Sequence, residues 1–159
     1  MTKHKRFIEI TLGALFILFC LAQTGCQKLS IELRPVKEVP SEGFIPMKQK
    51  SPSSSQSGIL YVSSVPEIGL EDVAWVGVQH GPDSRKCGIM IELNDKGRDK
   101  LRDYTEGHIG ERLGILINGE LITAPIIKAT IPSGEVASGA EFTCDEAEDI
   151  VRKFSEASK

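Results

Sequence analysis

Four cysteines, three histidines and 22 acidic residues hold most of the chemical range of this 159-residue chain. Cys87 and Cys144 have two readings. In an oxidising compartment they pair; otherwise each is the small buried side chain that cysteine often is. Pairing needs Cα atoms within about 7 Å, which spacing along the chain does not fix. His80 and His108 lack the neighbours and spacing of a zinc site and read as surface histidines, so no metal and no cofactor is expected. The acidic pairs Asp95/Asp99 and Asp145/Asp149 fall about one helical turn apart on predicted exposed faces, where they are solvated charge. Gly107-His-Ile-Gly110 has the glycines of a phosphate-cradling loop, yet it precedes a strand pattern rather than a helix N-terminus. Its glycines shape a turn instead. A Gly-x-Ser-x-Gly elbow and a Walker-type loop are both absent. The chain is therefore read as non-enzymatic, with no catalytic residues.

Cys26 belongs to a different chemistry. Lys3, Lys5 and Arg6 precede the 13-residue apolar run Ile10–Ala22, and Ala22-Gln-Thr-Gly-Cys26 follows. A helix of that length reaches about 20 Å, short of the roughly 30 Å hydrocarbon core, which fits a secretory h-region. Thr24, Gly25 and Cys26 resemble a bacterial lipobox, whose cysteine thiol takes a diacylglycerol; Gln23 departs from the leucine usual at its position. Residues 1–25 are thus read as a lipoprotein-type signal peptide and Cys26 as the lipidation site. An uncleaved N-terminal anchor is the alternative. Either reading puts the remainder in the cell envelope, held to the membrane on its extracytoplasmic, periplasmic side. Without residues 1–25 the chain carries 16 Lys/Arg against 21 Asp/Glu. That acidic balance, with no basic stripe, argues against nucleic-acid binding.

Residues 26–57 read as a flexible tether with a candidate short strand at 31–36, where Pro35 predicts an edge position. Prolines 40, 46 and 52 and the tract Ser51–Ser57 support the tether, whose reach would be roughly 30 Å. From residue 58 the pattern is that of one folded domain extending to 156. Ile59–Val62 is a strand, and Val73–His80 is another with Ala74, Val76 and Val78 on one face and Trp75 on the other. Cys87, Ile89, Ile91 and Leu93 alternate strictly. Asn94 is a good N-cap for a helix over Asp95–Thr105 that buries Leu101 and Tyr104. Leu113, Ile115 and Ile117 alternate into Asn118-Gly119, a two-residue hairpin turn whose partner strand begins at Leu121, with Pro125 marking a bulge or an edge. Val136–Phe142 adds a last strand. Thr143-Cys-Asp-Glu146 is a capping box for a final helix with the apolar stripe Ala147, Ile150, Val151, Phe154. The expected class is α+β: a two-layer sandwich, ferredoxin-like in type, of a mostly antiparallel sheet with two helices on one face.

Several of these segments together resemble a known family. Ile89-Met-Ile-Glu-Leu-Asn-Asp-Lys-Gly97, Thr105-Glu-Gly-His-Ile-Gly110, Leu113-Gly-Ile-Leu-Ile-Asn-Gly119 and Leu121-Ile-Thr-Ala-Pro-Ile126 are followed by Ser138-Gly139, Phe142-Thr143 and Glu146-Ala147. In this order they resemble the large periplasmic P1 (head) domain of the SecD/SecDF protein-export family over roughly 58–156, and Ile31-Glu-Leu-Arg34 resembles the stretch before it. The motif positions are Asn94, Gly97, Thr105, Gly110, Gly119, Ala124, Pro125 and Gly139. Between Gly139 and Phe142 there is one residue more than the family spacing, which predicts a bulge. The family couples ion flow to export through a bundle of membrane helices, and no run after residue 26 approaches 20 apolar residues. An energised pump is therefore not expected of this chain. The resemblance implies a membrane-tethered binding module, accessory to protein export, that engages unfolded or emerging exported proteins or translocase subunits. Its surface would lie at sheet edges, Ala124–Ile131 and Val136–Phe142, unless these are ordinary edges protected by Pro125, Pro132 and Lys128. The alternative is a structural or scaffolding envelope lipoprotein that reuses the fold.

Overall fold

Alternating apolar residues need a second layer to cover them, and among the described residues two antiparallel sheets and two helices supply it. A computed structural model describes residues 28–50, 58–82, 85–139 and 141–158. Among these, β1 (Ile31–Lys37), β2 (Phe44–Lys48), β3 (Ile59–Ser63), β6 (Arg112–Ile117) and β7 (Glu120–Thr123) form one sheet in the order β2-β3-β1-β6-β7. A second sheet has the order β4-β5-β8, from β4 (Val73–His80), β5 (Cys87–Leu93) and β8 (Glu135–Ala137). The helices are α1 (Asp95–Gly107) and α2 (Cys144–Ala157). The class is α+β, mostly antiparallel, as expected; the strands are divided between two sheets because β5 pairs with β4 on one side and β8 on the other, and none of the three pairs with the other strands.

One core joins the layers. Ile31, Leu33, Leu113, Ile115 and Ile117 of the larger sheet pack with Ile89, Ile91 and Leu93 of β5 and with Leu101, Tyr104, Ala147, Ile150 and Phe154 of the helices. Glu92 on the opposite face of β5 is exposed, so both helices lie against the buried face of the smaller sheet. The larger sheet also curls around a second cluster on its other face, Val36, Leu60, Val62, Leu116, Leu121 and Ala124, with Met47 packed on it. Lys50, just past β2, donates its backbone N–H to Leu121 O of β7 at 2.8 Å, which brings the two outer strands of that sheet together.

The expected tether does not hold across residues 28–50. Leu29 is buried, Ile31 and Leu33 are fully buried, and β2 pairs along β3. This segment is apolar-poor on its own and becomes ordered by pairing with strands far along the chain. Residues 51–57 lie outside the described residues. Pro35 does not mark an edge either: β1 is central, between β3 and β6. Leu33 donates its N–H to Ile68 O, on the side away from β6, and by alternation the Pro35 nitrogen faces that same side. No β1–β6 bond is lost. Arg34 fills in there, donating from Nη1 to Ser63 O and Ser64 O at 2.9 Å each.

Three further departures are local. A bulge between Val73 and Trp75 turns Ala74 outward, leaving Val76 and Gly77 as the buried residues of β4. The Trp75 ring lies across Gly77, where a Cβ would come within 2.0 Å of it. The strand expected over Val136–Phe142 is reduced to three residues; beyond it Ser138 donates its backbone N–H to Ile89 O, and Phe142 bridges Cys87. The Asn118-Gly119 turn forms as read, with φ of +53° and +79°.

Candidate interaction site

Two places gather polar or reactive groups. The first is the seam where the curled sheet brings β2 and β7 together. A groove of about 400 Å³ there is lined by Pro46, Met47, Lys48, Gln49, Lys50, Gly119, Glu120 and Leu121. A smaller adjoining cleft of about 150 Å³ runs from Ile117, Asn118, Glu120 and Ile122 to Phe142, Glu146, Asp149 and Ile150 of the α2 region. Lys50 belongs to both. Its Nζ lies 4.9 Å from the centre of the Phe142 ring, 3.6 Å from Glu120 Oε2 and 3.7 Å from Glu146 Oε1. Such exposed ion pairs contribute little stability, so the Lys50 side chain sets the charge of the seam while its backbone N–H ties the strands. Glu146 is already occupied by the capping box: Thr143 donates its backbone N–H to Oε2 at 2.8 Å, and Thr143 Oγ1 accepts from Glu146 N–H at 3.3 Å. Thr143, through its backbone N–H and then its hydroxyl, keeps the Glu146 carboxyl below its ordinary range, with Lys50 adding to the effect.

The second place is the end of the β4–β5 hairpin. The Cys87 and Cys144 sulfurs are 2.06 Å apart in a disulfide with Cα atoms 4.9 Å apart. His80 stands opposite Cys87 in the hairpin register, and its Nδ1 is 3.3 Å from Cys87 Sγ. The His80 nitrogen and both sulfurs lie within 4.8 Å of one another. With the sulfurs bonded to each other neither is a thiolate, the form a metal would need. His80 is therefore more than the surface histidine expected. Hairpin register was the available signal, because a strand ending at His80 and another starting at Cys87 must place the two side by side. His108 caps the end of α1, stacked on Tyr104 with ring centroids 4.1 Å apart and its Nδ1 2.7 Å from Tyr104 O. Burial, and then the charges of Glu111 and Glu67, push the Tyr104 phenol up to about 12.

The motif positions do not converge on one site; each shapes the frame. Asn94 Oδ1 accepts from Gly97 N–H and its Nδ2 donates to Glu71 O, both at 2.9 Å. A Cβ on Gly97 would sit 2.5 Å from Asp72 O, so glycine lets α1 close onto the single 3-10 turn at Leu70–Asp72. The buried Asp72 carboxylate accepts there from Lys100 Nζ at 2.6 Å. Thr105 Oγ1 donates to Leu101 O at 2.7 Å and accepts from Ile131 N–H at 3.0 Å, pinning the chain that leads to β8. Gly110 and Gly139 take φ of +90° and +76°, a region that favours glycine. Ala124 O accepts from Arg112 Nη1 at 2.8 Å and Pro125 O from Leu113 N–H at 3.1 Å. In the two segments expected to carry the binding surface, Ala124 and Ser138 are buried, whereas Pro125, Ile126, Lys128 and Ala137 are exposed. Three of the four carboxylates in the acidic pairs are engaged within their helices: Asp95 with Arg98, Asp99 with Arg102 at 2.8 Å, Asp149 with Arg152 and with Lys153 at 2.7 Å. Cys26 lies outside the described residues.

A family model described as SecDF, P1 head subdomain, matches residues 47–155. The chain belongs to that family. The protein translocase subunit SecD of Desulfurispirillum indicum is 29% identical over 96 residues, 56% of this chain and 19% of its own length. SecD of Rhodobacter capsulatus is 35% identical over 68 residues, 43% of this chain and 12% of its own. SecD of Aquifex aeolicus is 27% identical over 125 residues, covering 77% and 24%. The chain thus spans about a quarter or less of these curated relatives. Among solved structures, SecDF in its super-membrane-facing form superposes with a TM-score of 0.64 at 21% identity, over 80% of this chain and 19% of that one. A structure of SecDF, described as a membrane component that enhances protein export, gives 0.62 at 17% identity over 96% and 71%. These two likenesses establish the fold. In this P1 head relative, β1 lies before the family match yet forms the centre of the larger sheet. Among the described residues no helix is long and apolar enough to cross a membrane.

Proposed function

We propose that this P1 head domain is a non-enzymatic binding module, accessory to protein export, that takes extended segments of emerging exported proteins at the β2–β7 seam. The observation that carries the reading is the groove itself. Two outer strands of one sheet meet beside the half-buried Met47 and the exposed Pro46, so an extended chain would find main-chain partners along a strand edge and apolar side chains beside it. Strand addition of this kind is tolerant of sequence, as a general export factor needs. Lys48 and Glu120 on the rim offer both signs of charge. We further propose that Cys26 is lipidated and that the domain stands on the extracytoplasmic side of the membrane. A disulfide between Cys87 and Cys144 supports an oxidising compartment. With Leu29 already in the core, a lipid on Cys26 would hold the domain within about 10 Å of its anchor point, not at the end of a long tether.

The test is a photo-crosslinking side chain at Lys48 or Glu120, with Glu106 on the exposed side of α1 as the control, in cells translocating a defined secretory precursor. Adducts with the precursor or a translocase subunit are expected at positions 48 and 120, fading when protein synthesis is blocked. Recovery of neither at both positions refutes the proposal. A scaffolding role draws support from the outer face of the smaller sheet, where Trp75 is 51% exposed beside the row formed by Gly77, Met90 and Ala137. That role predicts a stoichiometric partner that persists after synthesis stops.

A further inference from the structure

The disulfide joins a buried sulfur to a more accessible one, and the buried sulfur carries a histidine. Cys87 is fully buried in β5, whereas Cys144 is half-buried at the first turn of α2. His80 is exposed and directs Nδ1 at Cys87 Sγ from 3.3 Å. A thiolate arriving from solvent therefore reaches Cys144 first, and the sulfur it expels is the one beside the imidazole. Exchange rates rise as the leaving thiol becomes the weaker base, and a neighbouring imidazolium lowers a cysteine's pKa.

We propose that His80, Cys87 and Cys144 form a thiol–disulfide exchange centre whose substrates are pairs of cysteine thiols on extended polypeptide. In the first step a substrate thiolate attacks Cys144 Sγ, the Cys87–Cys144 bond breaks, and Cys87 leaves as a thiolate that takes the proton held on His80 Nδ1. A mixed disulfide then links the substrate to Cys144. In the second step the substrate's other thiolate attacks its own sulfur in that mixed disulfide and releases Cys144. Two substrate thiols have become a disulfide, and the protein disulfide has become a dithiol. The two substrate thiols give up their protons to solvent on becoming thiolates, one solvent proton restores His80 and a second protonates Cys144, and two electrons pass from the substrate sulfurs to the protein sulfurs. The centre lies at the hairpin end of the smaller sheet and does not depend on the seam reading.

The probe is reduced glutathione acting on the full oxidised chain, followed by acid quench and peptide mapping. The early adduct is expected on Cys144, and His80→Gln should slow formation of that adduct by about a hundredfold, the low end for a positioned acid. A histidine that only shields the disulfide predicts the opposite sign, with the variant reacting faster. An adduct on Cys87, an unchanged rate, or an accelerated one overturns the proposal. Circular dichroism of the His80→Gln variant establishes that it is folded, and the site of the wild-type adduct tests the direction of attack without any variant.

Discussion

Reducing the Cys87–Cys144 bond should cost this domain a large share of its stability. The two cysteines are 57 residues apart, and the bridge ties β5 to the first turn of α2 across the core. Opening a loop of that length restores denatured-chain entropy worth about 4 kcal/mol at 25 °C in the chain-entropy picture. Reduction leaves both side chains in place, so no cavity contribution enters, unlike a Cys87→Ala replacement at a fully buried site. The loss should therefore fall between about 2 and 4 kcal/mol. Against a typical total of roughly 5–15 kcal/mol this is readily measured. Urea titrations of the oxidised chain and of the chain held reduced by a dithiol give the comparison. The reduced form should have the lower midpoint and a somewhat steeper slope, because an unlinked denatured chain exposes more surface. Coincident midpoints would refute the reasoning, since they would mean that the bridge does not constrain the unfolded chain or does not form.

Other consequences can be checked with the same titration. Gly97→Ala would stabilise an open helix position by about 1 kcal/mol. Here the added Cβ meets Asp72 O at 2.5 Å, and a net destabilisation of about 1–3 kcal/mol is expected instead. Thr143→Ala removes the hydroxyl of the capping box on α2 and should cost about 1 kcal/mol at neutral pH. The Glu146 carboxyl is lowered in the folded state, so its part of the box is present above the ordinary carboxylate range and is lost as the pH falls through the folded value; the penalty of Thr143→Ala should shrink in acid. Tyr104, pushed up to about 12, favours the neutral phenol in the fold. Its contribution is complete below the unfolded value near 10 and is lost as the pH rises towards 12, so Tyr104→Phe should flatten alkaline destabilisation over that window.

The fold was legible wherever its cause is local. Asn94 and Thr143 announce helix starts because the cap bonds reach only three residues along the chain. Asn118-Gly119 announces its hairpin because positive φ is a property of the dipeptide. Strict alternation in β5 follows from one buried face. The reading failed where order is borrowed from distant strands. Residues 28–50 have the composition of a linker, yet Ile31 and Leu33 are fully buried because β6, some 80 residues later, pairs with β1. Pro35 reads as an edge marker until the direction of its nitrogen is known. The motif positions were identified, but their work is conformational, which spacing alone does not distinguish from a binding role.

By itself the sequence determined the α+β class, both helices with their caps, the hairpin turn and the family resemblance, because each is written in neighbouring residues or in their order. Only the tertiary structure decided that the segment before residue 50 is core strand, that the larger sheet curls until Lys50 bonds Leu121, and that His80 faces the bridged Cys87 and Cys144. The physical reason is common to all three. Each needs a partner far along the chain (β6 for β1, Leu121 for Lys50, Cys144 for the His80–Cys87 pair), brought close when separate apolar faces are buried together.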